Sequence, residues 1–283
     1  MQWTDAGVYI FLTTTLFTVP VYLAVLYTIA FHRRTRAFQS SFYSISLSNG
    51  VYDLTAVVLF VVLECFPRLS FSKESYWSSR TTYLPTIGLA FTFMLLFIRV
   101  LGVASLVLER AAHTFYSAER LDEWLHHPLC CLSTIFRWII SLVLAWPVFI
   151  QMDISYAKRD NGDIITSIPS NDLKTDVALA AVVLWSCTLV STIGSAVILY
   201  KYAEHFSSAR CRHDYQLALQ SLASYMVLLV MTVHFSVIYS TQLKLTDSFE
   251  QMSEWFFLYS ALLSYVHPWI LLLFNTDVLC EDP

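Results

Sequence analysis

The chain has 283 residues, of which 57% are hydrophobic and 13% charged, with a formal net charge of −4. Soluble domains carry roughly 25% charged residues, so a water-soluble globule is excluded, and a slightly acidic balance gives no basis for nucleic-acid binding. The sequence holds no Gly-rich phosphate loop, no His-Glu-x-x-His zinc helix and no Gly-x-Ser-x-Gly elbow, so it is read as a non-enzyme without a cofactor.

Seven apolar stretches follow one another, each long enough to cross a bilayer core of ~30 Å as a helix. They are expected at Gly7–Phe31, Phe42–Leu63, Tyr83–Leu108, Leu132–Ile150, Val177–Tyr200, Leu217–Ser240 and Trp255–Phe274. The first reads as an uncleaved signal anchor, because its apolar run exceeds a signal-peptide core. Ser44, Ser46, Ser48 and Asn49 make the start of the second polar, and Arg137 interrupts the fourth, where it is expected to reach back toward the headgroups. Open sheets leave backbone groups unpaired in lipid, so the expected fold class is all-α: a polytopic bundle of seven transmembrane helices. One domain, residues 1–275, uses nearly the whole chain, and residues 276–283 form a short tail.

Orientation follows the Lys and Arg counts of the short loops. The first loop carries Arg33, Arg34 and Arg36 without an acid, which places the N-terminus outside and the tail in the cytosol. In that topology nine basic residues lie inside, seven outside, and Arg99 lies within the membrane. Cys130, Cys131, Cys211 and Cys280 then face the cytosol, either as palmitate acceptors or as ordinary small residues. His126-His127 beside Cys130-Cys131 is not a metal site, since adjacent residues on a helix point apart.

Charged groups within the membrane face the bundle interior and pair. Asp53 near the middle of the second crossing and Arg99 near the middle of the third reach similar depth in antiparallel neighbours, so an Asp53–Arg99 ion pair is expected. It is either a fixed brace or a latch that ligand binding shifts. Glu109-Arg110 at the inner end of the third crossing resembles the switch pair of rhodopsin-like receptors, with Ala111 where those have an aromatic residue. A simple anchor at the membrane surface is the other reading. In the seventh crossing Pro268 breaks the backbone ladder beside His267, which marks a hinge. Outer aromatics are mostly headgroup anchors, and Tyr83, Tyr239, Trp255 and Tyr259 are the candidates to line an outward-opening ligand cleft. The segment Ala111–His127 reads as an amphipathic helix along the inner membrane face.

Pro20-x-Tyr22, the basic first loop ending Phe38-Gln39-Ser40-Ser41-Phe42-Tyr43, and Pro67-Arg68-Leu69 together resemble the nematode serpentine chemoreceptors of the Srg superfamily, gamma or V class. Glu109-Arg110 followed by Trp124 fits the same pattern, with Glu109 replacing an asparagine and an unusually short tail after Phe274. The resemblance implies a G-protein-coupled chemosensory receptor in the plasma or ciliary membrane of sensory neurons. Its implied partners are a small-molecule or pheromone-like ligand outside, a heterotrimeric G protein inside, and membrane lipid. The competing function class is a transporter, channel or accessory scaffold. A transporter is expected to show internal repeats with interrupted helices, which the sequence lacks.

Overall fold

The computed structural model describes residues 3–32, 41–69, 72–115, 128–151, 153–158, 162, 164–205, 212–242 and 256–274. Among these, seven long helices run in chain order: α1 Trp3–Phe31, α2 Ser41–Phe60, α3 Leu84–Phe115, α4 Pro128–Phe149, α5 Ser170–His205, α6 Arg212–Gln242 and α7 Phe256–Phe274. Six of them, α1 to α6, contain stretches long and apolar enough to cross a membrane. The 19 residues of α7 span about 28 Å at 1.5 Å per residue, which matches a bilayer core. Several hydroxyl residues within these helices bond their own backbone. Thr28 donates to the Ala24 carbonyl at 3.0 Å, Thr55 to Val51 at 2.8 Å and Thr192 to Thr188 at 2.7 Å. Such i−4 bonds let polar letters sit in an apolar rod without exposing a donor to lipid.

Helix α3 is the axis of the bundle. It packs against α2, α4, α5 and α6, while α7 closes the ring against α6, α1 and α2. Of the first six helices, α3 is the most buried and α4 the least. Phe93, Leu96, Phe97 and Val100 of α3 join Ala180 and Leu184 of α5 and Leu228 and Met231 of α6 in the largest apolar cluster. The opposite face of α4 presents Leu132, Ile135, Phe136, Ile139 and Val143 outward, as expected of a lipid-facing helix. Glycines set the closest approaches. A Cβ on Gly102 of α3 would lie 2.4 Å from Asn49 Oδ1 of α2, one on Gly50 would lie 2.4 Å from the tip of Leu26 in α1, and one on Gly194 of α5 would lie 2.9 Å from Val107.

Three features depart from the sequence expectation. A hairpin of β1 Ser155–Lys158 and β2 Ile164–Ser167 interrupts the all-helical plan between α4 and α5. Its strands pair antiparallel with Ser155 opposite Ser167 and Lys158 opposite Ile164, and Gly162 supplies a φ of 83° in the turn. The hairpin holds because Ile154, Tyr156 and Ile164 are buried beneath it. Second, α2 does not end as an α-helix but runs through a π turn, Val61–Cys65, into a 3-10 turn, Phe66–Arg68. The short helix Lys73–Ser78 follows, and its Tyr76 hydroxyl donates to the Val62 carbonyl at 2.5 Å while its ring meets Tyr156 edge-on at 5.6 Å. Partial burial raises the Tyr76 phenol above its ordinary value, so it remains a donor. Third, Arg137 does not reach for the headgroups. It is buried and turns into the groove between α4 and α2, donating to Asn49 Oδ1 at 2.7 Å. The groove offers oxygen partners and the Tyr52 ring at 5.9 Å, which is a better environment than a long extension through lipid.

Helix α3 extends past the expected end at Leu108 to Phe115, which absorbs the first residues of the segment expected to be amphipathic. Residues 116–127 of that segment, Trp255 and the tail 276–283 lie outside the described residues.

Candidate functional site

Two clusters of buried charge occupy the interior, one at mid-membrane and one at the end of α3 expected to face the cytosol. At mid-membrane, Arg99 of α3 donates through Nε to Asp53 Oδ1 of α2 at 2.7 Å. The other carboxylate oxygen accepts the Tyr22 hydroxyl of α1 at 2.6 Å. Arg99 Nη2 donates to Ser264 Oγ of α7 at 2.6 Å. One arginine therefore ties together four helices, directly or through Asp53. Both partners of the ion pair are almost fully buried, so each charge depends on the other for its solvation.

The position of Ser264 is significant. A helix interior pairs each N–H with the carbonyl four residues back, and Pro268 has no N–H to give to Ser264. The Arg99 contact thus lands on the residue where the α7 ladder is already open. His267, beside the proline, lies 6.3 Å ring to ring from Tyr22 and is buried. Together Asn49, Asp53, Arg99, Ser224 and His267 line a cavity of about 20 Å³, counted as space for the centre of a water-sized sphere.

At the inner end, Glu109 accepts from its own neighbour. Arg110 Nε lies 2.6 Å from Glu109 Oε2 and Nη2 lies 2.7 Å from Oε1, a bidentate grip. Ser41, the first residue of α2, donates to Glu109 Oε1 at 2.5 Å, and His113 Nε2 lies 3.0 Å from the same oxygen. The Arg110 guanidinium stacks over Phe42 at 5.0 Å. Glu109 and Arg110 are both buried rather than spread on a membrane surface. In this arrangement Arg110 is satisfied within α3 and by Phe42 of α2.

Of the expected outer aromatics, the side chains of Tyr83 and Tyr239 lie among the described residues. The Tyr83 hydroxyl donates to the Phe149 carbonyl at the end of α4, and Tyr239 is exposed on α6. Tyr259 lies within α7, and neither Tyr83 nor Tyr239 lines the mid-membrane cavity. Sequence reasoning missed Ser41 and Ser264 as partners of the buried charges. Their signals were faint: Ser41 stands one residue before the expected second crossing, and Ser264 stands four residues before the proline. Tyr22 was noted only as part of a family motif, although its depth in α1 matches that of Asp53.

A family model described as serpentine type 7TM GPCR chemoreceptor Srv matches residues 11–281. No curated protein matches the chain. Of the gamma and V classes expected from the sequence motifs, the matched family is the V class. The match covers both charge clusters and all seven helices except the first eight residues of α1.

Proposed function

We propose, from the premise that this chain belongs to the Srv family of serpentine 7TM GPCR chemoreceptors, that the two buried charge clusters are the parts that move when it signals. A small-molecule cue binds among the outer ends of the helices, with Tyr83, Tyr239, Trp255 and Tyr259 as contributing aromatics. Binding favours a packing in which α7 shifts at Pro268 and pulls Ser264 away from Arg99. The Asp53–Arg99 pair then acts as a latch rather than a fixed brace. At the inner end, Glu109 releases Arg110, and the opened cytosolic mouth admits a Gα subunit. Inner loops two (109–130) and three (201–216) contact it.

The observation that carries this reading is the Arg99–Ser264 bond at 2.6 Å, placed where Pro268 has opened the helix. A brace alone needs only Asp53; a bond to the hinge couples the pair to helix movement. The N-terminus faces outward, residues 1–275 form one receptor unit, residues 276–283 are a cytosolic tail, and the receptor resides in the plasma or ciliary membrane of sensory neurons. The first-loop motifs further support a place within the Srg superfamily.

The test is expression with a promiscuous Gα subunit against a panel of small odorants, comparing the native chain with Arg110→Ala at matched surface expression. A ligand response in the native chain that disappears in the variant supports the assignment. A response unaffected by the change removes Arg110 from the switch.

A further inference from the structure

The cavity where α2, α3, α6 and α7 meet takes polar groups from all four helices, Asn49 and Asp53, Arg99, Ser224, and His267, and three valines and Leu106 complete its wall. His267 is only 7% exposed, and its Nε2 has no hydrogen-bond partner among the described residues. One turn inward from Ser224, the Gln220 side chain is 2% exposed, and neither its amide nitrogen nor its amide oxygen has a partner among them. Buried polar atoms without partners are rare, because the lost hydration is not replaced. A polar cavity needs about 10–15 Å³ of such centre space to admit one water, together with two to four polar partners. This cavity has about 20 Å³ and at least that many partners.

We infer that this cavity is a structural water site, in which bound water joins His267 of α7 and Ser224 of α6 to the Asp53–Arg99 pair. An anion is disfavoured because Asp53 already neutralises Arg99. A cation is disfavoured because the guanidinium itself lines the space. Water alone offers both a donor to an imidazole nitrogen and an acceptor to a hydroxyl or amide. It also gives α6 and α7 a bond to the central pair that can be exchanged without breaking an ion pair. The water site stands whether or not the chain couples to a G protein.

Hydroxyl-radical footprinting of the full chain in lipid nanodiscs, with millisecond X-ray exposure in ¹⁸O-water, tests the site. His234 on α6 is an internal control, since it is 8% exposed and does not line the cavity. His267 is expected to gain oxygen several-fold faster than His234. Equal slow labelling of the two histidines overturns the proposal. Ser224→Leu fills the cavity and is expected to bring His267 down to the His234 rate, with the receptor still eluting as a single species. Val266→Phe provides the same test from α7 if the first variant does not fold. Unchanged His267 labelling in a folded, filled variant also overturns it, because the water then lies elsewhere.

Discussion

Arg99 and Ser264 are joined by a hydrogen bond of 2.6 Å that links the middle of α3 to the hydroxyl of the α7 residue whose carbonyl Pro268 leaves open. The bond places a permanent charge against the weakest point of a transmembrane helix. Losing it is expected to free that helix. Ser264→Ala should weaken the folded bundle by about 1.5–3 kcal/mol, the usual contribution of a hydrogen bond to a charged group. The same variant should raise ligand-independent signalling through a promiscuous Gα. Heat-inactivation curves in detergent and a basal signalling assay read the two effects; a variant as stable and as silent as the native chain would show that the bond holds nothing.

The ion pair behind it has a different signature. Asp53→Ala strands Arg99 in the interior and leaves Tyr22 without its acceptor, a loss of about 3–5 kcal/mol. Replacing both charges together, as Asp53→Leu with Arg99→Met, removes the stranded charge and should recover most of that loss. The order to look for in surface expression and thermal half-life is native, then double variant, then single variant. A double variant worse than either single one would mean that the charges are needed for themselves.

The inner cluster yields a graded series. Ser41→Ala removes one donor from the Glu109 carboxylate and should cost about 1.5–3 kcal/mol. Glu109→Ala releases Arg110, Ser41 and His113 at once and should cost considerably more. If the cluster restrains the cytosolic mouth, basal signalling rises in the same order as stability falls. Stability that falls without any change in signalling would make Glu109 a structural anchor.

Close packing of α2 on α3 gives a prediction that needs no signalling assay. Gly102→Ala drives a methyl group into Asn49 Oδ1, which already accepts from Arg137, so both the contact and the Arg137 bond must yield. Overpacking of this kind costs about 1–3 kcal/mol. Gly50→Ala meets only the rotatable end of Leu26 and should be milder. The two alanine variants, compared by thermal unfolding in the same detergent, should differ in that order.

The number and placement of the long helices were legible because apolar runs longer than 18 residues have one physical use. Asp53 and Arg99 were legible as neighbours because depth is fixed by sequence position once helices are antiparallel. What hydropathy hides is rotation about the helix axis. It registers the cost of Arg137 but not the direction in which that side chain turns, and the direction decides between headgroup and groove. Ser41 and Ser264 stayed hidden for the same reason: a serine in a membrane helix bonds its own backbone by default. The hairpin escaped notice because four-residue strands carry almost no periodic signal, and the aspartates around it read as open loop.

The glycine contacts divide the bundle into two mechanical classes. Helix α3 meets α2 at Gly102 and α5 at Gly194 so closely that one added methyl group must displace a neighbour, and α2 meets the rotatable end of Leu26 of α1 at Gly50, whereas α4, α6 and α7 contain no glycine at all. The meshed set behaves as a stator, with its angular settings locked by backbone proximity. Rolling or tilting is then expected of α6 and α7, which carry no glycine contact of this kind. Sequence drift in a lineage of such receptors would accordingly be tolerated on the rotor and punished on the stator.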